Sequence, residues 1–461
     1  MIQKTLITNQ TQELAAYIET LKEQPEYQDA GERILLFGDQ NNDPEHLRQT
    51  VQMVREAMPG VKVVGTTMPR AGVMKEYGKD LAHCTLYIVD PSLSDEEAVA
   101  ALKRLSRHPM LPFITKYLFP KENPGMLGEV LRNIGSIDEF QQTVMSKVVS
   151  AVTDSTSSGF TYDGIENVRG DRRYLAISNH RDIILDPALT QWTLFHEGLP
   201  MTEICVGSNL LSSRTFEDLL RSNRMIKVIR GISARELYLS SQLLSRYIRQ
   251  TITSGKASVW IAQREGRTKN GLDVSEQGIL KMFDMSGTGD FKTNFKELNL
   301  VPMSISYEYE PCDARKAREL LIKRETGSYT KKKDEDMHSI LTGIRQWKGG
   351  IHLSIGKPIT DLEIIRASWY EKNDRYQAIR RTLDRRIIDG YKLWKTNYMG
   401  YDLMTGGNRF SDMYTPEDLE QFKAYTEHKL GKIEKKLDRD ALRDIFWHIY
   451  GNPVVAKVET W

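Results

Sequence analysis

The sequence predicts an α/β protein in which a mainly parallel sheet is covered by helices, with a smaller α/β unit before it and a mostly helical region after it. Three observations predict this. Apolar runs alternate with helix-period segments between about residues 172 and 307, a separate alternation fills the first 94 residues, and the chain beyond 360 reads mostly as helix. At 461 residues the chain is too long for one compact core, so two or three units are expected.

In the first unit, 1–94, the strand-like runs ILLFG (34–38), VKVVG (61–65) and CTLYIVD (84–90) alternate with helical periodicity, as in HLRQTVQMVREAM. The polar stretch DPSLSDEE (90–97) reads as a linker and helix cap before AVAALKRL. The segment LKRLSRHPMLPFITKYLF mixes bulky apolar residues with Lys103, Arg104, Arg107 and Lys116, which suits either a membrane interface or a helix packed on the next domain.

From 172 the order is RRYLAIS (strand), DPALTQWTLFHEG (helix), TEICVG (strand), FEDLLRSN (helix) and MIKVIRG (strand). A helix follows with the capping box Ser233 and Glu236 and ends at Gly255; the strands SVWIAQ and LVPMSISYEY come after it. Alternation of this kind puts reactive residues on loops at strand ends. KRETGSYTKKKDEDM (323–337) is expected to be an exposed loop, and Thr415-Pro416-Glu417-Asp418 to start a helix. The expected domains are 1–94, 95–360 and 361–461.

Composition excludes some functions. With 64 basic against 62 acidic side chains the formal net charge is only +2, so nothing global points to nucleic acid, and attraction to phosphate must come from local clusters. Cys84, Cys205 and Cys312 are far apart and form no metal-ligand spacing, which suits a reduced, cytoplasmic chain with no metal. His83, beside Cys84, is too isolated for a nucleophile or metal site, and His196, His338 and His428 have no supporting motif. The first residues do not read as a signal segment, and no run reaches the roughly 18 apolar residues of a membrane span. A protein of this kind that acts on lipids works from the membrane surface.

The chemistry concentrates at SNHRDIILD, 178–186. His180-Arg181-Asp182 spells the catalytic-loop tripeptide of a protein kinase, but the Gly-rich loop, strand lysine and metal-binding Asp that hold ATP are missing. Read as Asn-His with a downstream Asp, the same letters suit acyl transfer from a thioester to an alcohol. That reaction needs a general base, a carboxylate to orient it, and cationic groups where the acceptor carries phosphate.

ISNHRDIILD, MIKVIRG, IAQREGRTKNG and VPMSISYEYEP, with IHLSIGKPI closing the set, resemble the ordered motif blocks of the glycerol-3-phosphate and lysophosphatidate acyltransferase superfamily, in a divergent bacterial branch. The resemblance covers about 98–360 and implies an acyltransferase-type mixed sheet. ILLFGDQNND through MPGVKVVGTTMPRAG resembles the start of a FIST sensory module. Two departures stand out. The fifth residue after His180 is Leu185, so the carboxylate is Asp186, one position late, or Asp182, three early; and Arg267 follows Gly266 directly where the superfamily has an intervening residue.

The resemblance implies that His180 is the general base, oriented by Asp186 or Asp182, and that Asn179 and Arg181 line the substrate. Arg267, Lys269 and Arg264 are the expected phosphate clamp, with Glu265 and Gly266 shaping their loop; Lys227 and Arg230 add positive charge. The implied partners are an acyl donor, acyl-CoA or acyl-carrier protein, and a glycerol-3-phosphate or lysophosphatidate acceptor at the inner face of the membrane. No bound cofactor is implied. The departures leave two alternatives open, another lipid acceptor such as an amino-acid lipid, or a non-catalytic lipid-binding protein. IIDGYKLWKTNYMGYDL suits core packing better than headgroup contact.

Overall fold

The computed structural model describes residues 3–8, 11–24, 34–39, 44–59, 62–67, 82–87, 93–211, 213–231, 234–332 and 334–459. The strands are β1 (Gln3–Thr8), β2 (Ile34–Asp39), β3 (Lys62–Thr67), β4 (Ala82–Tyr87), β5 (Gly159–Asp163), β6 (Leu175–Ser178), β7 (Glu203–Gly207), β8 (Met225–Val228), β9 (Val259–Ala262), β10 (Leu300–Tyr307) and β11 (Gly350–Ile355). The chain divides into two compact units, Met1–His108 with Gly128–Phe140 and Cys205–Tyr247, and Pro109–Leu127 with Gln141–Ile204 and Ile248–Trp461.

The first unit contains a four-stranded sheet in the order β1-β4-β2-β3. β2 and β3 are parallel and joined through the helix Pro44–Ala57, while β4 runs antiparallel to β1 and β2. Leu14, Ile18 and Leu21 form one buried stripe on the helix Thr11–Lys22, at the spacing that puts side chains on one helical face. The helix Asp95–Leu105 starts at the expected cap, where Ser94 and Glu97 satisfy each other's backbone amides. Its Arg104 makes two bonds, of 2.9 and 2.8 Å, to Asp218 of the helix Arg214–Arg221. The capping box expected at Ser233 lies outside the described residues; the helix there is described over Ala234–Thr253.

The second unit is built on a mixed sheet in the order β5-β11-β10-β6-β9, which β7 joins through Glu203 and Ile204. Only the β10–β11 pairing is antiparallel among these. All four residues of β6 are buried, as expected of a strand covered on both faces. Leu185 and Leu189 of the helix Leu185–His196 pack with Val149, Val152 and Ile305, each such burial contributing roughly 1.5–3 kcal/mol. This packing fixes the start of the helix that carries Asp186.

The region beyond 360 is helical, and its cluster of Met399, Phe422, Leu442, Phe446 and Tyr450 also takes in Ala317 and Leu321. Thr415 and Asp418 form the expected capping box. Tyr391, Met399 and Tyr401 are buried, so the aromatic stretch there is core. The loop expected at 323–337 is shorter than predicted: the helix Asp313–Thr326 runs through its first residues to Gly327, and another helix begins at Glu335. High charge misled the reading, because charged residues suit the solvent face of a helix as well as a loop.

Candidate active site

His180 follows directly on the loop after β6. Asn179 N still donates to Met303 O of β10 at 3.3 Å, and beyond it the side chain takes over the pairing: Oδ1 accepts from Ile305 N at 2.8 Å and Nδ2 donates to Ile305 O at 3.1 Å. The chain is thereby released from the sheet in a fixed direction. His180 Nδ1 lies 2.8 Å from Asp186 Oδ2, and the ring packs edge-on to Trp260. The side chain is only 15% exposed, and among the described residues no protein group bonds its Nε2.

Asp186 is held on every side. Its Oδ2 also accepts from Arg181 N at 2.6 Å and Asp182 N at 2.9 Å, and Oδ1 accepts from Tyr307 OH at 2.7 Å. Burial, then the charge of Asp186, pushes the Tyr307 phenol well above its ordinary range, so it stays a donor. A carboxylate fixed in this way sets both the tautomer and the direction of an imidazole. The one-residue displacement noted in the sequence is absorbed by the loop 181–184, which wraps the carboxylate with its own amides.

Asp182 does something else. Its Oδ1 accepts from the amides of Ile184 and Leu185, both at 2.9 Å, which caps the turn into the helix. Its Oδ2 is buried without a hydrogen bond and lies where a Cβ on Gly343 would come within 2.1 Å.

Asn179 and Arg181, expected at the substrate, are 0% and 4% exposed, and their polar atoms are taken up inside the protein. The group that takes them up is Asp273, which no motif pointed to. Its Oδ2 accepts from Asn179 Nδ2 at 2.9 Å and from Arg181 at 2.6 and 3.1 Å. Thr268 and Tyr391 also donate to Asp273 through their hydroxyls. Burial pushes the Asp273 carboxyl up, but Arg181 and these donors outweigh it and hold the group below the usual range. Burial likewise opposes the Arg181 charge, yet Asp273 and Glu310 together raise its pKa. Glu310 in turn accepts from the buried Lys316 at 2.6 Å, and Lys316 donates to Arg181 O at 2.8 Å. The only sequence signal for Asp273 is a lone Asp in NGLDVSEQ, which has the composition of an ordinary turn.

The basic loop after β9 meets the His180 loop through its backbone, since Thr268 N donates to His180 O at 2.8 Å. Gly266 adopts φ +70°, which suits glycine, and Glu265 is exposed. Arg267 is 8% exposed and turned inward: burial opposes its charge, and Cys312 and Asp182 favour it. Lys269 pairs with Glu319, and burial, then the charge of Arg267, lowers its pKa to about 8. Cys312 is buried in a left-handed backbone conformation, with burial raising its thiol pKa. Lys227 and Arg230 belong to the first unit, where Lys227 lies 3.4 Å from Glu217 and Arg230 N donates to Ser208 Oγ. His196 stacks on Trp192 and bonds its carbonyl, and His338 bonds Asp334 O. No cluster of metal-ligating side chains occurs among the described residues, nor is any described helix long and apolar enough to cross a membrane.

Residues 159–306 match the model of the family described as Acyltransferase. The matched span contains the first three motif blocks, the start of the fourth and the His180–Asp186 pair. Among solved structures, the chain is similar at 11% identity to the 1-acyl-sn-glycerophosphate (LPA) acyltransferase, PlsC, from Thermotoga maritima; the match covers 64% of this chain and 95% of that one, with a TM-score of 0.34. A search of curated proteins finds no match.

Proposed function

From the acyltransferase-family domain at residues 159–306, we propose that this protein moves a fatty acyl group from acyl-CoA or acyl-carrier protein to a hydroxyl of glycerol-3-phosphate or lysophosphatidate. The observation that carries the reading is the 2.8 Å contact between His180 Nδ1 and Asp186 at the end of a buried central strand.

With Nδ1 protonated and bonded to Asp186, Nε2 is the basic nitrogen and faces the acceptor. Nε2 takes the hydroxyl proton as the oxygen bonds to the thioester carbonyl carbon. The tetrahedral intermediate then expels the thiolate, which takes the proton back from the imidazolium. Asp186 stays ionised throughout and stabilises the transient positive ring. No acyl-enzyme is formed, and a phosphate on a substrate meets the basic loop 264–269.

The acceptor and product suggest work at the inner face of the cytoplasmic membrane. This is supported by the helix Leu111–Leu118, whose Phe113 is 69% exposed beside the exposed Ile114, Lys116 and Tyr117. In this reading the catalytic domain spans 95–360, residues 1–94 are an accessory domain, and 361–461 support the catalytic domain. The test is transfer of radiolabelled palmitoyl from both thioester donors to both acceptors by wild type, His180→Ala, Asp186→Ala and Asp182→Ala. Transfer by wild type that disappears with His180 and with Asp186 is expected; no transfer by folded wild type rejects the reading.

A further inference from the structure

The end of β6 opposite His180 carries a separate group of cations. A cavity of about 350 Å³ lies there, lined by residues 168–174 that lead into β6, by Leu199 and Pro200 before β7, and by Ser258 before β9. All of these residues belong to the second unit. Tyr174 is pinned at the start of the strand, where its N donates to Ser258 Oγ at 3.2 Å and its O accepts from Val259 N at 3.0 Å. The four residues of β6, roughly 13 Å of extended chain, then separate it from the loop that carries His180.

Three of the lining side chains are arginines. Arg169 pairs with Glu197, whose other oxygen accepts from Tyr162 OH at 2.6 Å. Arg172 and Arg173 have no carboxylate partner among the described residues: Arg172 Nη2 donates to Lys296 O, and Arg173 Nε donates to Gly255 O at 3.0 Å. Each bond fixes one edge of a guanidinium to a neutral carbonyl and leaves its charge uncompensated. Asp171, the acidic residue of the lining, forms no ion pair with either. The remaining wall is largely apolar, with Val168 and the Tyr174 ring buried beside Leu199 and Pro200. The Tyr174 hydroxyl is sealed from solvent without a hydrogen-bond partner, and burial raises the phenol against the opposing charge of Arg173, so it stays protonated. A Cβ on Gly170 would meet nothing within 4 Å, so the loop leaves open space there.

We propose that this cavity binds the phosphate group of a small soluble molecule between Arg172 and Arg173, at the end of the sheet remote from His180. A guanidinium presents paired donors that match two phosphate oxygens, and two such groups anchored at one edge each cost little further ordering on binding. The volume suits a small molecule, and the apolar wall accepts an organic body attached to the phosphate. Two sources carry the group, inorganic phosphate and a small organic phosphate ester. The assignment is independent of the acyl transfer proposed above.

The experiment is calorimetric titration of the full chain, at constant ionic strength, with inorganic phosphate, phenyl phosphate and phenol, comparing wild type with Arg172→Ala, Arg173→Ala and Gly170→Trp, and with thermal melting of each. Wild type is expected to bind a phosphate probe and not phenol. Each arginine variant should weaken that binding about 10- to 100-fold. Gly170→Trp fills the space without removing a charge, and it should abolish binding at a melting temperature close to wild type; it decides the matter if an arginine variant does not fold. Tighter binding of phenyl phosphate than of inorganic phosphate assigns the site to a phosphate ester, and the reverse order assigns it to the free ion. A wild type that binds neither phosphate, or affinities unchanged in folded arginine variants and in Gly170→Trp, overturns the proposal.

Discussion

Asp186 Oδ2 lies 2.8 Å from His180 Nδ1 while its Oδ1 accepts the Tyr307 hydroxyl at 2.7 Å, so one carboxylate ties the imidazole to the neighbouring strand β10. Replacing Asp186 by Asn keeps the shape and removes the charge that fixes the tautomer. We expect Asp186→Asn to lower kcat by about 10²–10⁴-fold with little change in KM, measured by steady-state transfer. A reduction in KM alone would contradict an orienting role.

Tyr307→Phe removes one donor to Asp186 and leaves the ring packed in the core. The expected result is a destabilisation of about 1–3 kcal/mol and a kcat loss smaller than that of Asp186→Asn, because the bonds from the amides of Arg181 and Asp182 remain. Denaturant melts and initial rates on the same preparations check both parts.

Asp182 is predicted to act on stability. Asp182→Ala loses the acceptor for the Ile184 and Leu185 amides and should cost about 0.5–2 kcal/mol, with a smaller effect on kcat than Asp186→Ala. Gly343→Ala should disturb the same residue from the other side, since the added methyl would stand 2.1 Å from Asp182 Oδ2. Overpacking of that kind costs about 1–3 kcal/mol, and thermal melts that leave Gly343→Ala at the wild-type value would count against the packing described.

Asp273 carries a pH signature. Its folded carboxyl is held below the ordinary value, so its contribution is complete above about pH 4 and is lost as pH falls through the lower folded value. Asp273→Asn is expected to be less stable than wild type by about 3–5 kcal/mol at neutral pH, the cost of breaking a buried pair, with the gap narrowing in acid. Melting both proteins from pH 7 down to pH 3 tests this; a gap independent of pH would show that the ion pair with Arg181 is not its source.

Much of the site was legible because it is local. The stretch 178–186 carries His180, the carboxylate bonded to it and the amides that wrap that carboxylate within nine residues, and period-2 and period-3.6 patterns located β6, β9, β10 and the helix after His180. Arg181 shows where locality ends. It stands beside His180 in the sequence and suggests substrate contact, yet in the fold it points into Asp273 and Glu310, 92 and 129 residues away.

By itself, the sequence determined the order of elements and the motif blocks, because side-chain periodicity and short-range hydrogen bonding depend on neighbours along the chain. It favoured Asp186, since a one-residue insertion in a loop is easily absorbed, and kept Asp182 as the alternative. Only the tertiary structure decided between their positions, by bringing Tyr307 to one and Gly343 to the other, and only it revealed Asp273, Lys316 and Tyr391 as one buried charged and hydroxyl network. The physical reason is burial: a charge withdrawn from water must find its partners wherever the fold places them, at whatever separation along the chain.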